Sequence, residues 1–275
     1  MSRQPPHLGP KGPNTAAVPG RSRPNFPASL DSLVAAARTR SGPGPAAAVR
    51  PAQSLPSPFG LGLDSTAVRA AMVSRLAAQG LSRQAVLRAM AEVERHRFVD
   101  SALAQQAYED TSLPIGLGQT ISKPSVVARM LELVLGGRSA VPGRVLEIGT
   151  GCGYQAALLS RIAHEVYSME RLRALHEKAR DNLRHLRQRN LHLILGDGTL
   201  GYPAGAAYDV IVSAAGGNSI PQAWLDQLAP GGRLVTPVEQ AHGRQQLVVI
   251  DRTGDGFVRS VLEPVHFVPL KSGLA

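Results

Sequence analysis

The chain has 275 residues, 43% of them hydrophobic, enough for one substantial α/β domain with a buried core plus a smaller appendage. One cysteine, Cys152, excludes an intrachain disulfide and suits a reducing cytosol. No stretch nears the roughly 18 consecutive apolar residues of a membrane-spanning helix, and the first basic residues are not followed by the apolar run of a secretory signal, so neither is expected.

The net charge is +10, and +6 of it falls in residues 1–60, where seven Lys/Arg face one acid, Asp31. Those basic residues are dispersed and accompanied by only two aromatics, Phe26 and Phe59, so a solvated tail is favoured over a nucleic-acid or lipid contact. The same segment is rich in Pro, Ala, Gly, Ser and Arg. It cannot bury enough apolar surface to offset the entropy of ordering, and 1–60 is expected to be a disordered extension, with a short helix possible only at Leu30–Arg40.

From there a domain over 61–275 is expected. Asp64 or Ser65 can cap a helix running to about Gln79, ended by Gly80. Ser82 can cap a second, with Val86, Leu87, Met90 and Val93 at helical spacing. Residues 96–122 read as irregular, and Pro124 opens a helix to Leu135. These N-terminal helices and the segment after them make up 61–140.

The texture changes over 141–275. Arg144–Ile148 is a short apolar strand, followed by a glycine loop and a helix from about Tyr154 to Ala163. Val166–Met169 is a strand. Arg171–Arg187 is a helix with Leu172, Leu175, Ala179, Leu183 and Leu186 on one face. Leu191–Leu195, Asp209–Ser213 and Arg233–Thr236 are further strands, with a helix near Pro221–Leu228. Gln246–Asp251 and Phe257–Leu262 flank Thr253-Gly-Asp-Gly256 and predict a hairpin. Alternating strands and helices predict an α/β fold with a doubly wound, mainly parallel, Rossmann-like sheet, an antiparallel edge and an N-terminal helical subdomain.

After the first strand, Gly149, Gly151 and Gly153 alternate in Glu147-Ile-Gly-Thr-Gly-Cys-Gly153. Glycine lets the backbone turn tightly and approach a ligand without a Cβ clash. A dinucleotide loop, G-x-G-x-x-G, would need its third glycine at Tyr154, so the pyrophosphate fingerprint fails. An acid followed by G-x-G-x-G is instead the pattern of S-adenosylmethionine binding, whose sulfonium and amino group tolerate nearby acids. Glu147 supplies the acid. Glu170, ending the next strand, can accept from ribose hydroxyls. Asp197, beside Gly198 after the third strand, can accept from an adenine amino group. Three acids at the carboxyl ends of consecutive strands sit where open α/β sheets bind ligands. Cys152 reads as a small packed side chain, Trp224 as core and His96 as structural.

Outside the loop, Tyr108-Glu-Asp-Thr-Ser-Leu-Pro-Ile-Gly-Leu-Gly-Gln-Thr-Ile-Ser122, followed by Lys123-Pro124, closely resembles the signature of protein-L-isoaspartate O-methyltransferases. Arg95-His96, Phe98-Val99, Gly196-Asp-Gly-Thr-Leu-Gly-Tyr202, Ile220-Pro221, Gly231-Gly-Arg-Leu-Val235 and Phe267-Val-Pro-Leu270 extend the resemblance over roughly 65–275. Departures fall at Glu94, where the family usually has Pro, at Gly216-Gly217 after Ala214-Ala215, and at Glu239, where it usually has Gly.

The resemblance implies protein repair. Methyl passes from S-adenosylmethionine to the α-carboxylate of L-isoaspartyl residues; the ester closes to a succinimide unaided, and hydrolysis returns some aspartate. A carboxylate of pKa ~4 is already ionised at neutral pH, so no strong general base is required. It also implies that Ser122 orients the carboxylate through its hydroxyl, while Thr120 and Ile121 form the adjoining wall and count with the cofactor-binding residues Glu147, Gly149, Gly151, Gly153, Glu170, Asp197 and Gly198. No metal site is expected: the eight histidines lack ligand spacing. The expected partners are isoaspartyl proteins and peptides, without nucleic acid or membrane, for a cytoplasmic monomer. The rival readings are a methyltransferase for small molecules or nucleic acid, a nicotinamide-dependent oxidoreductase, and a non-catalytic binding protein whose basic tail contacts nucleic acid.

Overall fold

A computed structural model describes residues 66–137, 141–240 and 243–275. The 1–60 extension, the helix considered at Leu30–Arg40, the domain start near 61 and the caps Asp64 and Ser65 lie outside the described residues.

Two helices, α1 (Thr66–Ala78) and α2 (Gln84–Glu92), lead the described chain. Val86, Leu87, Ala89 and Met90 of α2 are buried, as their helical spacing predicts. Ser82 does not cap α2 with its side chain. Glu132 Oε1 instead accepts the amides of Ser82 (2.6 Å) and Arg83 (2.9 Å), so a side chain 50 residues away satisfies the free N–H groups.

Residues 96–122 are more ordered than their composition suggests. Short 3-10 turns lead into an antiparallel hairpin of β1 (Leu113–Gly116) and β2 (Gln119–Ile121). Leu117 and Gly118 turn it with φ of +53° and +69°. Helix α3 (Pro124–Leu135) begins with proline in its first turn, as expected.

The sheet strands are β3 (Arg144–Ile148), β4 (Glu165–Glu170), β5 (Leu191–Leu195), β6 (Tyr208–Ser213), β7 (Leu228–Glu239), β8 (Gln245–Thr253) and β9 (Gly256–Val265). Their order is β5-β4-β3-β6-β7-β8-β9. The pairs from β5 to β7 are parallel, and β8 and β9 add an antiparallel edge, as predicted. Helix α4 (Tyr154–Leu159) stops short of the expected Ala163, α5 (Arg173–Leu183) passes into a 3-10 turn at Arg184–Leu186, and α6 (Gln222–Asp226) precedes β7.

Strand alternation divides the core. Val145, Val210, Val212 and Val235 pack with α1 to α5, while Leu146, Ile148, Ile211 and Leu234 pack with Trp224 on the opposite face. The chain leaves β3 toward β4 and β5, then returns to β6 on the other side of β3. That reversal opens a crevice at the carboxyl ends of β3 and β6.

Candidate active site

One cavity of about 250 Å³ occupies this crevice. One wall comes from strand ends: Gly149–Cys152 after β3, Glu170–Leu172 after β4, Gly198 after β5 and Ala214–Ala215 after β6. The other wall combines hairpin residues Ile115, Leu117 and Gln119–Ser122 with Val268–Lys271 near the C-terminus.

The glycine loop has the backbone that its spacing requires. Gly149, Gly151 and Gly153 have φ of +90°, +56° and +93°. A Cβ on Gly153 would lie 2.9 Å from Leu183 Cδ1, and one on Gly151 would lie 3.2 Å from Ile115 Cδ1. The loop is therefore packed between α5 and the hairpin so closely that side chains at Gly151 and Gly153 would press on Ile115 and Leu183. Asn182 Nδ2 braces it by donating to Cys152 O at 3.0 Å.

The expected acids take three different positions. Glu170 lines the cavity and accepts Gly151 N at 2.9 Å through Oε2, and Arg171 N and Leu172 N at 2.9 and 3.0 Å through Oε1. Asp197 stands outside the lining. Its Oδ1 accepts the Thr199 amide (2.9 Å) and hydroxyl (2.7 Å), and its Oδ2 accepts Gly273 N at 2.6 Å. Desolvation pushes the Asp197 pKa up, but hydrogen bonds from Gly273 and Thr199 and the charge of Arg171 hold it below the usual value. Glu147 is fully buried in β3 and does not reach the cavity surface.

Of the residues read from the sequence, Thr120, Ile121, Ser122, Gly149, Gly151, Glu170 and Gly198 share this lining, and Gly153 turns the loop beneath it. The N-cap residue of α3 is Lys123, which makes no side-chain cap bond; Asp110 does that work, accepting Ser125 N at 2.9 Å and Ser125 Oγ at 2.8 Å.

Burial pushes the Cys152 thiol up to about 11 and the Tyr154 hydroxyl up to about 12, so both stay protonated at neutral pH. His96 bonds the Tyr108 hydroxyl at 2.8 Å and does not line the cavity, and Trp224 is buried with Nε1 donating to Gly198 O at 2.8 Å.

Several wall residues escaped the sequence reading. Thr150 and Gln155 lay inside or beside the motif without a signal of their own. Val268–Lys271 joins the site because Gly216 pairs with Val268 and Leu270, with its N–H donating to Val268 O (2.9 Å) and its carbonyl accepting Leu270 N (2.7 Å). That pairing is invisible in local pattern.

Comparison with known proteins agrees with this geometry. The family profile of protein-L-isoaspartate(D-aspartate) O-methyltransferase matches residues 67–275. A protein-L-isoaspartate O-methyltransferase of Methylibium petroleiphilum is 56% identical over 92% of this chain and 97% of its own length. One from Leptothrix cholodnii is 62% identical over 78% of this chain and 77% of its own. A solved protein-L-isoaspartate O-methyltransferase superposes with a TM-score of 0.68 at 30% identity, over 75% of this chain and 67% of that one. A Plasmodium falciparum structure, described as a complex with S-adenosyl-L-homocysteine, shares the fold with a TM-score of 0.65 at 23% identity, over 74% of this chain and 98% of its own. The chain belongs to the protein-L-isoaspartate(D-aspartate) O-methyltransferase family, and it is a protein-repair methyltransferase that uses S-adenosylmethionine.

Proposed function

We propose that Ser122 orients the α-carboxylate of an L-isoaspartyl residue through its hydroxyl, with Thr120 and Ile121 forming the adjoining wall. Gly149, Gly151 and Gly153 let the loop approach the cofactor, Glu170 receives the ribose hydroxyls, and the Asp197-Gly198 turn borders the adenine. Glu147 supports the loop from below. One observation carries this reading: β2 and the glycine loop line one cavity, so residues from the substrate segment and the cofactor loop meet.

When bound, S-adenosylmethionine supplies a methyl group on a sulfonium. The residues of this chain position and shield. An isoaspartyl carboxylate arrives ionised, so the site needs alignment more than a base, and in-line transfer asks for reacting atoms ~3–3.5 Å apart. The neutral thiol of Cys152 and hydroxyl of Tyr154 compete for no proton at neutral pH. Ile115, Ile121 and Leu175 make the wall apolar around the polar groups and limit access of water.

We further propose a monomeric, cytoplasmic enzyme. Both cavity walls come from one chain, and its single cysteine is buried. No described helix is long and apolar enough to cross a membrane.

Methyl incorporation into an isoaspartyl peptide, with its aspartyl isomer as control, tests this reading. Label is expected in the isoaspartyl peptide alone. Equal labelling of both isomers, or of neither, overturns it. Sedimentation at working concentration checks the oligomeric state, and a dimer overturns that part.

A further inference from the structure

The motif acid Glu147 lies beneath the site and not in it. In the sheet register it stands between Ser168 on β4 and Val212 on β6. Ser168 Oγ donates to Glu147 Oε2 and lies 2.6 Å from Thr150 Oγ1. Thr150 belongs to the glycine loop and lines the cavity, and its amide donates to Met169 O at 3.0 Å. Gln155, in the first turn of α4, neighbours Glu147 and also lines the cavity. Glu147 Oε1 and Gln155 Nε2 are both buried without a hydrogen-bond partner.

We propose that Glu147 is a positioning residue, which holds Thr150 in the cavity wall through its hydrogen bond with Ser168, packs beside Gln155, and makes no contact of its own with the cofactor. This rests on the reading of the cavity as the S-adenosylmethionine site. A direct ionic contact would need the carboxylate at the cavity surface, and it is fully buried.

The surroundings favour the uncharged acid. Burial pushes the Glu147 carboxyl up to about 8; the hydrogen bond from Ser168 and the nearby Gln155 amide act against this, and the like charge of Glu170 adds to it. Among the groups packed against it, β4 offers Ser168 and Glu170, β6 offers Val212 and Ser213, α4 offers Gln155 and the loop offers Thr150. None is a cation. Ionisation therefore sets an unpaired charge under the loop beside Glu170, and the loop must shift or admit water to solvate it. Cofactor affinity then falls as the pH rises through about 8.

Calorimetric titration with S-adenosylhomocysteine from about pH 6.5 to about pH 9.5 tests this. Glu147→Gln keeps a neutral side chain of the same size. It is expected to bind within about threefold of the wild type at pH ~7 and to lack the alkaline loss of affinity. Glu147→Ala, without the hydrogen bond to Ser168, is expected to bind about tenfold more weakly across the range. The ligand's own amine titrates alike in every protein, so the difference between profiles is the readout.

Glutamine as poor as alanine at neutral pH would mean that the charge itself is required, and would overturn the proposal. So would identical pH profiles for wild type and Glu147→Gln. Should the alanine variant not fold, the glutamine variant still decides. If Gly153→Val bound S-adenosylhomocysteine as well as the wild type, the cavity reading would fail instead, which keeps the two failures separate.

Discussion

The two walls of the cavity are built by different means. The sheet-side wall is a set of turns at the ends of β3, β4, β5 and β6, whose positions follow from continuous parallel ladders. The opposite wall is a two-stranded hairpin and a C-terminal segment. A hairpin of two strands is marginal alone in water. Distant side chains secure this one. Arg95 Nε donates to Ala107 O at 2.7 Å, and Lys178 Nζ reaches both Ile115 O and Asp100 Oδ1 at 3.0 Å. Asp197 holds Gly273. Stability in the first wall is spread over a ladder, whereas in the second it is concentrated in a few side chains. Single substitutions should therefore damage the sheet-side wall through shape and the hairpin wall through lost anchors.

The strongest test of the first half is Gly153→Val. Its φ of +93° and the 2.9 Å approach to Leu183 leave no room for a branched side chain. S-adenosylhomocysteine binding should fall below calorimetric detection, and urea midpoints should report a loss of at least about 2 kcal/mol.

Arg95→Met tests the anchors. Arg95 is fully buried, stacks 4.9 Å over the Tyr154 ring, and serves the Ala107 and Thr111 carbonyls. Its loss leaves those carbonyls without their donor, for a cost of about 2–4 kcal/mol in urea unfolding. Because Arg95 serves the approach to the hairpin, turnover should drop more than cofactor affinity. The reverse order would break the comparison.

A smaller effect is expected for Ser122→Ala: about tenfold lower turnover on an isoaspartyl peptide, with S-adenosylhomocysteine affinity within about twofold. Undiminished turnover would remove Ser122 from its role.

The mildest should be Asp197→Ala, a loss of cofactor affinity of about threefold as Gly273 and Thr199 lose their acceptor. The Asp197 pKa is lowered on folding, so its contribution to stability is present at neutral pH and is lost as the pH falls through the folded-state pKa. Thermal melts in acid should therefore converge for wild type and variant.

The sheet was legible because period and punctuation agreed. Arg144–Ile148 and Leu191–Leu195 stand at the expected boundaries, and Thr253-Gly-Asp-Gly256 turns the expected edge hairpin. The hairpin Leu113–Ile121 was not read as strand. Its strands are only four and three residues long, Pro114 weakens the strand pattern, and Leu117 occupies a positive φ unusual for its type. Resemblance had marked Thr120–Ser122 as substrate-facing where propensity was silent. The Ser82 cap was misjudged for another reason: Glu132, which accepts the amides there, comes from a distant segment, which no local pattern encodes.

By itself the sequence determined the alternation of strand and helix, the glycine backbone at 149–153 and the family, since these depend on local period, on freedom from a Cβ and on contiguous text. Tertiary structure alone decided what the three acids do. Glu170 faces the cavity, Asp197 ties down the C-terminal segment and Glu147 is sealed beneath the loop. A carboxylate's role follows from its burial and partners, and those are set by elements far apart in the chain.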